Sequence, residues 1–325
     1  MIILIGIIIY ILYQAYIRDK QKAAAQVSAT DKLVQRATLP DKDRQFKVRA
    51  FILAVYVIIF GWLYFAWYRL YPKSKFHWFD DRGEWNQIDK AGHIYGAYFE
   101  TVWAYELLRW SGVDNKRAAL SAAFIGLEFE STIELWDGFS TKWGASWSDL
   151  MANAVGASLA MVQYLLWEEQ RIMCKFSYNG NDYKYPTPEL KERADDLFGK
   201  TFFEKVLKDY NNITLWISIN PSKFFPGTTP DWGCIAIGYG GENLLGGYEN
   251  KWVDKEGKPH DRTDLPRYRT LKFSLDADLP RLRPNDPTGR AAFKALNIIK
   301  MPFPSYTVRF GPSKSPRRGV GDASS

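Results

Sequence analysis

Ionisable side chains recur at helical spacing inside three apolar stretches of the chain. Within each stretch the polar residues lie three, four or seven positions apart, so they occupy one face of a helix. They are Asp89, His93 and Glu100 in the first stretch, Glu130 and Glu134 in the second, and Asp149 and Asn153 in the third. Ionisable groups in apolar helices are costly and usually face one another. We therefore expect the seven side chains to line one internal ligand-binding site.

One imidazole and several carboxylates allow two kinds of chemistry. They can hold a divalent cation, or a carboxyl group of raised pKa can donate a proton. On this hypothesis the candidate catalytic residues are His93, Glu130 and Glu134. His77 and His260 lie outside the pattern, and the sequence has no HExxH motif. A conventional zinc hydrolase is therefore weakly supported, and the sequence leaves the metal and any other cofactor unknown.

Two of the acids also have a structural explanation. Asn86 stands three residues before Asp89, and this is the spacing of a helix capping box. Ser146 stands in the same relation to Asp149. His93 is as compatible with a hydrogen-bonded structural histidine as with a ligand. The two glutamates of the second stretch lie within an apolar run and cannot cap its start, so a buried neutralised network is the structural alternative for them.

Five apolar segments are candidates for membrane helices. Residues 51–68 form the strongest candidate, because 18 apolar residues are close to the length that crosses a bilayer. Residues 1–17 form a short anchor or signal segment. Residues 88–110, 116–136 and 147–169 are diluted by glycine, alanine and the acids, which is typical of helices packed closely in a bundle.

The second half of the chain is polar and contains short runs typical of strands at 215–219, 234–239, 271–277 and 306–310. The predicted fold is a mainly α membrane-associated helical bundle with a C-terminal α+β domain. The predicted divisions are an N-terminal membrane anchor or signal segment at 1–17, a basic linker at 18–50, the helical bundle with the polar motif at 51–175, the α+β domain at 176–310 and a disordered tail at 311–325. Cleavage within residues 1–26 is left open.

Composition narrows the class of protein. The mean hydropathy of the 325 residues is −0.29, so apolar spans are concentrated in the first half. The formal charge is +7, and because no nucleic-acid motif accompanies it, we expect membrane lipid rather than nucleic acid as a partner. Cys174 and Cys234 lie far apart without CxxC spacing, which argues against a disulfide framework or a thiolate metal site.

A resemblance to a known family rests on several short motifs in a fixed order. The motifs are Asp89-Lys90-Ala91-Gly92-His93, Glu134-Leu135-Trp136-Asp137-Gly138, Ser146-Trp147-Ser148-Asp149 and Asn153-Ala154-Val155-Gly156, with Phe76-His77-Trp78-Phe79-Asp80-Asp81 upstream and Lys208-Asp209-Tyr210-Asn211 downstream. This order resembles an uncharacterised bacterial envelope family described as predicted periplasmic lipoproteins. More distantly it is similar to VanZ-like membrane proteins. The resemblance implies a membrane-associated location in the bacterial cell envelope, with the inner or outer membrane left open. The chain has no lipobox cysteine near its start, which departs from the lipoprotein description.

Three functions remain open from the sequence. The first is binding of a lipid or lipid-linked envelope ligand in the polar site. The second is a metal-assisted membrane hydrolase or transferase that acts on envelope lipids. The third is a structural subunit of an envelope protein complex. The sequence contains no nucleophile elbow or other established catalytic motif, so whether the protein is an enzyme is left undecided.

Overall fold

The computed structural model describes residues 35–66, 68–180, 185–282 and 287–311. This part of the chain is about half helical and ends in an antiparallel sheet. The helical bundle and the C-terminal α+β part expected from the sequence are therefore both present. The predicted anchor at 1–17, much of the linker at 18–50 and most of the tail at 311–325 lie outside the described residues.

Four long helices occupy the first half of the described residues. They are α1 (Lys42–Ala66), α2 (Ile88–Trp110), α3 (Asn115–Asp137) and α4 (Trp147–Trp167). The last three match the predicted segments to within two residues, whereas α1 starts earlier than the apolar run at 51–68 because the Asp41 carboxylate accepts a hydrogen bond from the Arg44 amide, 3.0 Å away, at the helix start. Helices α2, α3 and α4 pack against one another, and α1 lies beside α3 through Tyr56, Phe60 and Phe129.

Glycines let the three central helices approach closely. A Cβ atom at Gly156 would lie 2.1 Å from the Ile94 carbonyl oxygen, and one at Gly126 would lie 2.8 Å from that of Ala97. Both positions therefore require glycine if the backbones are to keep this distance. A Cβ at Gly96 would lie 2.0 Å from the Glu130 carboxylate, so this glycine provides the space that the side chain occupies.

The C-terminal part is built on one five-stranded antiparallel sheet. Its strands are β1 (Ile172–Tyr178), β2 (Ile213–Ile219), β3 (Gly233–Glu242), β6 (Tyr268–Ala277) and β7 (Ser305–Phe310), adjacent in that order, and β4 (Lys251–Val253) pairs with β5 (Pro259–Asp261) in a separate hairpin. The helices of this part are α5 (Pro188–Phe198), α6 (Phe202–Lys208) and α7 (Pro287–Leu296). Short 3₁₀ turns cover 68–70, 84–87, 221–223 and 279–282. Strand β1 was not predicted, because its first half lies within the bundle predicted at 51–175, although Cys174, Phe176 and Tyr178 alternate with Lys175 and Ser177.

The apolar face of the sheet packs on α2. Cys174 of β1 lies in one hydrophobic cluster with Tyr98 and Ala160, and the rings of Tyr95 and Phe176 are 5.9 Å apart. The opposite face of the sheet holds a buried ion pair, Lys175 to Asp276 at 2.9 Å. The sheet is thus attached along α2 and can fix the position of that helix.

Two of the described helices are long and apolar enough to cross a membrane by length and composition, Lys42–Phe65 and Trp147–Trp167. Only 11% of the apolar window of the first is buried, against 39% for the second, whose inner face packs in the bundle. Helices α2 and α3 do not meet the same criterion. The predicted spans at 88–110 and 116–136 are therefore not supported, since glycine, alanine and acids dilute their apolar character.

Candidate functional site

The polar residues predicted from the sequence meet at one end of the bundle, where α2 and α4 begin and α3 ends. We call this group the His93 cluster. It consists of Asp81, Asp89, Lys90, His93, Glu130, Glu134, Asp149 and Asn153. Six of the seven predicted site residues belong to it, and the exception is Glu100.

His93 is the centre of the cluster. Its Nδ1 atom lies 3.0 Å from Glu130 Oε2 and 3.0 Å from Asn153 Oδ1. Because both neighbours present oxygen acceptors, Nδ1 carries a proton and donates it. The other ring nitrogen, Nε2, lies 3.6 Å from Glu134 Oε1 and 3.8 Å from Asp149 Oδ2. These two distances are too long for direct hydrogen bonds, so Nε2 faces two carboxylate oxygens without being bonded to either.

Lys90 connects three further carboxylates. Its ammonium group contacts Asp81, lies 3.1 Å from Asp89 Oδ2 and lies 2.7 Å from Asp149 Oδ1. Asp81 also accepts hydrogen bonds from the hydroxyls of Ser146 and Ser148, at 2.6 Å and 2.8 Å. Lys90 thus binds one oxygen of Asp149 while the other oxygen faces His93.

The capping explanation fails for both aspartates. Ser146 does cap α4, because its Oγ accepts from the Asp149 amide at 3.2 Å. However, the Ser146 amide donates to Glu134 Oε2 at 2.8 Å, so the Asp149 carboxylate does not complete a capping box. The side chain of Asn86 makes no cap at the start of α2, and Asp89 Oδ1 instead accepts from the Tyr210 hydroxyl at 2.9 Å.

A strained turn leads into α2 and the sheet holds it. Trp85, Asn86 and Gln87 have φ angles of 48°, 53° and 63°, in the left-handed region that non-glycine residues rarely adopt. The Trp85 amide donates to the Gly247 carbonyl at 2.7 Å. Arg269 of β6 donates to Gln87 Oε1, also at 2.7 Å. The C-terminal part therefore positions the first turn of α2, and with it Asp89, Lys90 and His93.

Glu100 does not join the cluster. It lies two turns further along α2, and its buried Oε2 has no hydrogen-bond partner among the described residues. Burial raises its pKa well above the usual value, and the Glu130 carboxylate raises it further. The spacing of seven residues from His93 correctly predicted the helix face on which Glu100 lies. Glu100 is nevertheless too far along the helix axis to contact the cluster.

The electrostatics of the cluster differ between its two halves. Burial raises the pKa of Glu134 to about 8 despite the nearby His93, and it raises that of Asp137 to about 7 although the Tyr68 hydroxyl donates to it. Burial would also raise the pKa of Asp81, but hydrogen bonding to Asp149, Lys90 and Ser146 lowers it to about 2. Asp81 is thus held ionised more firmly than Glu134 is, whereas burial raises the pKa of Asp149, which also contacts Lys90, to about 7.

The charges in the cluster do not balance. The eight residues include five carboxylates, whereas the basic groups are Lys90 and His93. Burial would lower the pKa of His93, yet Glu130, Asp89 and Asp149 raise it well above its usual value. Even with both basic groups charged, the ionised cluster is negative, so further protons or a cation must neutralise it.

Sequence reasoning did not include Asp81 among the site residues and considered Lys90 only as a neutralising group. Lys90 lies three residues before His93, in the same helical turn. Asp81 is the last residue of the aromatic motif that begins at Phe76. Both stood in the motifs that carry the family resemblance, and so did Tyr210. Their presence in these motifs was the one sequence feature that could have identified them as site residues, because no spacing rule relates residues on separate loops.

Comparison with known proteins supports an envelope association. Residues 77–165 match the model of a family described as predicted periplasmic lipoprotein (DUF2279). The match covers α2, α3 and most of α4 and includes all the cluster residues. No curated protein and no solved structure matches the chain significantly. The match supports the predicted resemblance to an uncharacterised envelope family for this part of the chain, and nothing in it supports the more distant resemblance to VanZ-like proteins.

Proposed function

We propose that the His93 cluster is a divalent-cation site in an envelope-associated protein. The observation that carries the proposal is the position of His93 Nε2, 3.6 Å from Glu134 Oε1 and 3.8 Å from Asp149 Oδ2. Nitrogen and oxygen ligands lie about 2.0–2.2 Å from a zinc-like ion, so two ligands of one ion are at most about 4.4 Å apart. Both distances fit a shared cation.

The other side of the imidazole supports the same function. Histidine ligands usually donate their second ring N–H to a carboxylate or carbonyl oxygen, which fixes the ring and makes the ligating nitrogen more basic. Glu130 and Asn153 are in that position at Nδ1, each 3.0 Å away. Asp89, His93 and Asp149 also offer donor atoms within 4.8 Å of one another, slightly more than the limit of about 4.4 Å, so these side chains would have to move closer to hold one ion together. A mixed nitrogen and oxygen set favours a transition metal such as Zn²⁺ or Mn²⁺ over Ca²⁺ or Mg²⁺.

The charge of the cluster bears on the lipid hypothesis. A group with more carboxylates than basic side chains repels a phosphate headgroup. A phosphorylated lipid can therefore reach this site only through a bridging cation. The lipid-headgroup hypothesis for these residues thus becomes secondary to the cation proposal.

Metal binding by the full-length protein in detergent tests the proposal. Isothermal titration with Zn²⁺ and Mn²⁺ should show one site per chain, and Glu134→Gln should weaken it by at least about 100-fold, since it removes a ligand charge. Glu100→Gln is the matched control, because it changes the same group on a buried helix face away from Nε2. The proposal is wrong if the wild-type protein binds no stoichiometric metal, or if both variants bind like the wild type.

Metal-assisted hydrolysis of an envelope lipid is a second candidate function. It is favoured by the exposure of Asp89, whose side chain is 28% accessible while that of Asp149 is 4%. A cation held at this rim keeps a position open for water, and a metal lowers the pKa of bound water. Release of fatty acid or of glycerol phosphate from phosphatidylglycerol by the zinc-loaded protein, with one water consumed per ester bond, is the expected result, and this release should be lost in Glu134→Gln. If the protein binds stoichiometric metal but hydrolyses no lipid, the hydrolase proposal is wrong and only the cation-site proposal remains.

We further propose that α1 attaches the protein to the bilayer. Leu53, Ile58 and Phe65 of this helix are more than 60% exposed, which is costly in water and favourable in lipid. Basic residues at its start, including Lys42 and Lys47, suit the anionic headgroup region. The full-length protein should stay in the membrane after alkaline carbonate extraction, and release into the supernatant would contradict attachment by α1. A structural role in an envelope complex stays a prediction.

A further inference from the structure

A large groove lies beside α1, at the end of the bundle opposite the His93 cluster. We call it the α1–α3 groove. Its volume is about 1130 Å³. Its lining comes from the segment before α1, from α1 itself, from the turn between α2 and α3, and from the outer face of α3. Ligand sites commonly measure about 300–1,000 Å³, so the groove can accept a molecule at the upper end of that range.

Charged and apolar residues are segregated along the groove. Arg49, Arg109 and Arg117 line the end near the start of α3, and Asp114 beside them pairs with Arg117 at 3.4 Å. The second acid of the lining, Glu128, is eleven residues beyond Arg117 in α3, which corresponds to about 16 Å along the helix axis. One end of the groove is therefore basic, with three guanidinium groups and one carboxylate.

Apolar side chains line the space between the two ends. They include Ile52 and Leu53 from α1 and Ile125 from α3. A basic end joined to an apolar trough matches a molecule with an anionic head and a hydrocarbon tail. Since α1 also has an exposed apolar face, such a molecule can enter the groove from the bilayer without crossing water.

The arginines have hydrogen-bonding capacity to spare. Arg109 donates through Nη1 to the Val113 carbonyl at 2.8 Å, and its Nη2 lies 3.9 Å from Glu168 Oε2, which is too long for a hydrogen bond. Arg49 is exposed and makes no ion pair within the described part of the chain. A phosphate group accepts such N–H donors in bidentate geometry, which makes arginine the usual residue for its recognition.

We propose that the α1–α3 groove binds one anionic glycerophospholipid, with its phosphate at Arg49, Arg109 and Arg117 and its acyl chains along the apolar trough. The residues before Ala37 form a competing occupant, because the chain reaches the groove at that point. Residues 1–34 contain four basic and two acidic side chains, however, so they do not complement the arginines in charge. An anionic lipid is the occupant of complementary charge. This site is independent of the cation site.

The test uses the full-length protein in nanodiscs of phosphatidylcholine, with or without phosphatidylglycerol. Native mass spectrometry after release should show one retained phosphatidylglycerol per chain and no retained phosphatidylcholine. The double variant Arg49→Gln/Arg117→Gln should lower the apparent affinity at least about tenfold, through the loss of charge-assisted contacts. The matched control Lys116→Gln/Lys258→Gln removes the same charge at exposed positions outside the groove lining and outside α1, and should bind like the wild type.

A second experiment identifies the occupant directly. A photo-crosslinking amino acid at Ser121, an exposed residue of the lining, should react with phosphatidylglycerol in the same nanodiscs. Ser121→Trp should fill the groove and abolish retention even where the arginines are intact. Crosslinks from position 121 to residues 1–34 would assign the groove to the chain itself and overturn the proposal. Equal retention of the two lipids, or equal loss in the control, would do the same.

Discussion

The His93 cluster and the α1–α3 groove lie at opposite ends of α3 and have opposite character. The cluster is nearly closed, has an excess of carboxylates, and joins α2, α3 and α4 through direct side-chain contacts. The groove is open, has an excess of arginines at one end, and lies on the outer side of the bundle. The same chain thus provides one site suited to a cation and another suited to an anion. We expect the stability of the fold to depend strongly on the charge of Lys90 in the cluster and only weakly on the charges of the groove arginines.

Loss of the positive charge in the cluster should have the largest effect. Lys90→Met leaves Asp81, Asp89 and Asp149 without their common partner. Removal of one member of a buried ion pair typically costs about 3–5 kcal/mol. We expect the unfolding midpoint in chemical denaturation to fall accordingly, whereas Lys116→Met, an exposed control at the other end of the bundle, should leave it unchanged. A Lys90→Met protein as stable as the wild type would show that the cluster does not support the fold.

A change in helix spacing should have the next largest effect. Gly156→Ala places a methyl group 2.1 Å from the Ile94 carbonyl oxygen, so α2 and α4 must separate. Overpacking of this kind costs about 1–3 kcal/mol. Gly92→Ala is the control, because a Cβ there meets no atom within 4 Å. Thermal unfolding should separate the two variants, and metal affinity should fall in Gly156→Ala alone. Equal melting temperatures would contradict the close approach of the two backbones.

The pH dependence of the metal-free protein should follow Glu134. Its pKa is about 8 in the folded chain, while an unfolded glutamate titrates near 4.3. The folded state therefore binds an extra proton between these values, and stability rises as pH falls from about 8 toward 5. We expect a gain of order 1–2 kcal/mol in the unfolding free energy, reduced in Glu134→Gln. A variant with the unaltered pH profile of the wild type would exclude this carboxyl group as the source.

Loss of charge in the groove should have the smallest effect on stability. The side chain of Arg117 is 83% exposed, and its pair with Asp114 is a surface ion pair. Such pairs contribute about 0–1 kcal/mol. Arg117→Met should therefore change the unfolding free energy by less than about 0.5 kcal/mol, although it removes the same charge as Lys90→Met. A large destabilisation would mean that the groove arginines serve the fold and would weaken the distinction between the two regions.

Helical spacing predicted much of the cluster but not its connections. The four-residue spacing of Asp89 and His93 predicted that both lie on one face of α2. The same spacing predicted that Glu130 and Glu134 share one face of α3, because residues four apart lie on the same side of a helix. The contacts of Lys90 with Asp81 and of Asp89 with Tyr210 join distant parts of the chain, and no local rule predicts them. The capping explanation was wrong because the Ser146 amide binds Glu134 instead of Asp149.

The fold shows the same division between local and distant information. Apolar segments and alternation predicted α2, α3, α4 and most strands, since these patterns follow from which face is buried. Strand β1 was missed because it follows α4 after a short turn, and its first half was assigned to the bundle at 51–175. The groove could not be foreseen either, because Arg49 and Arg117 come from separate helices, and only the parallel packing of α1 beside α3 brings them to one end.

X-ray absorption spectroscopy of the zinc-loaded protein reports the ligands of the bound ion. We expect a first shell of nitrogen and oxygen atoms about 2.0–2.2 Å from the metal, with the multiple-scattering signal of one imidazole. His93→Gln should remove that imidazole signal. A zinc shell without imidazole, or an imidazole signal that persists in His93→Gln, would contradict a cation site at the His93 cluster.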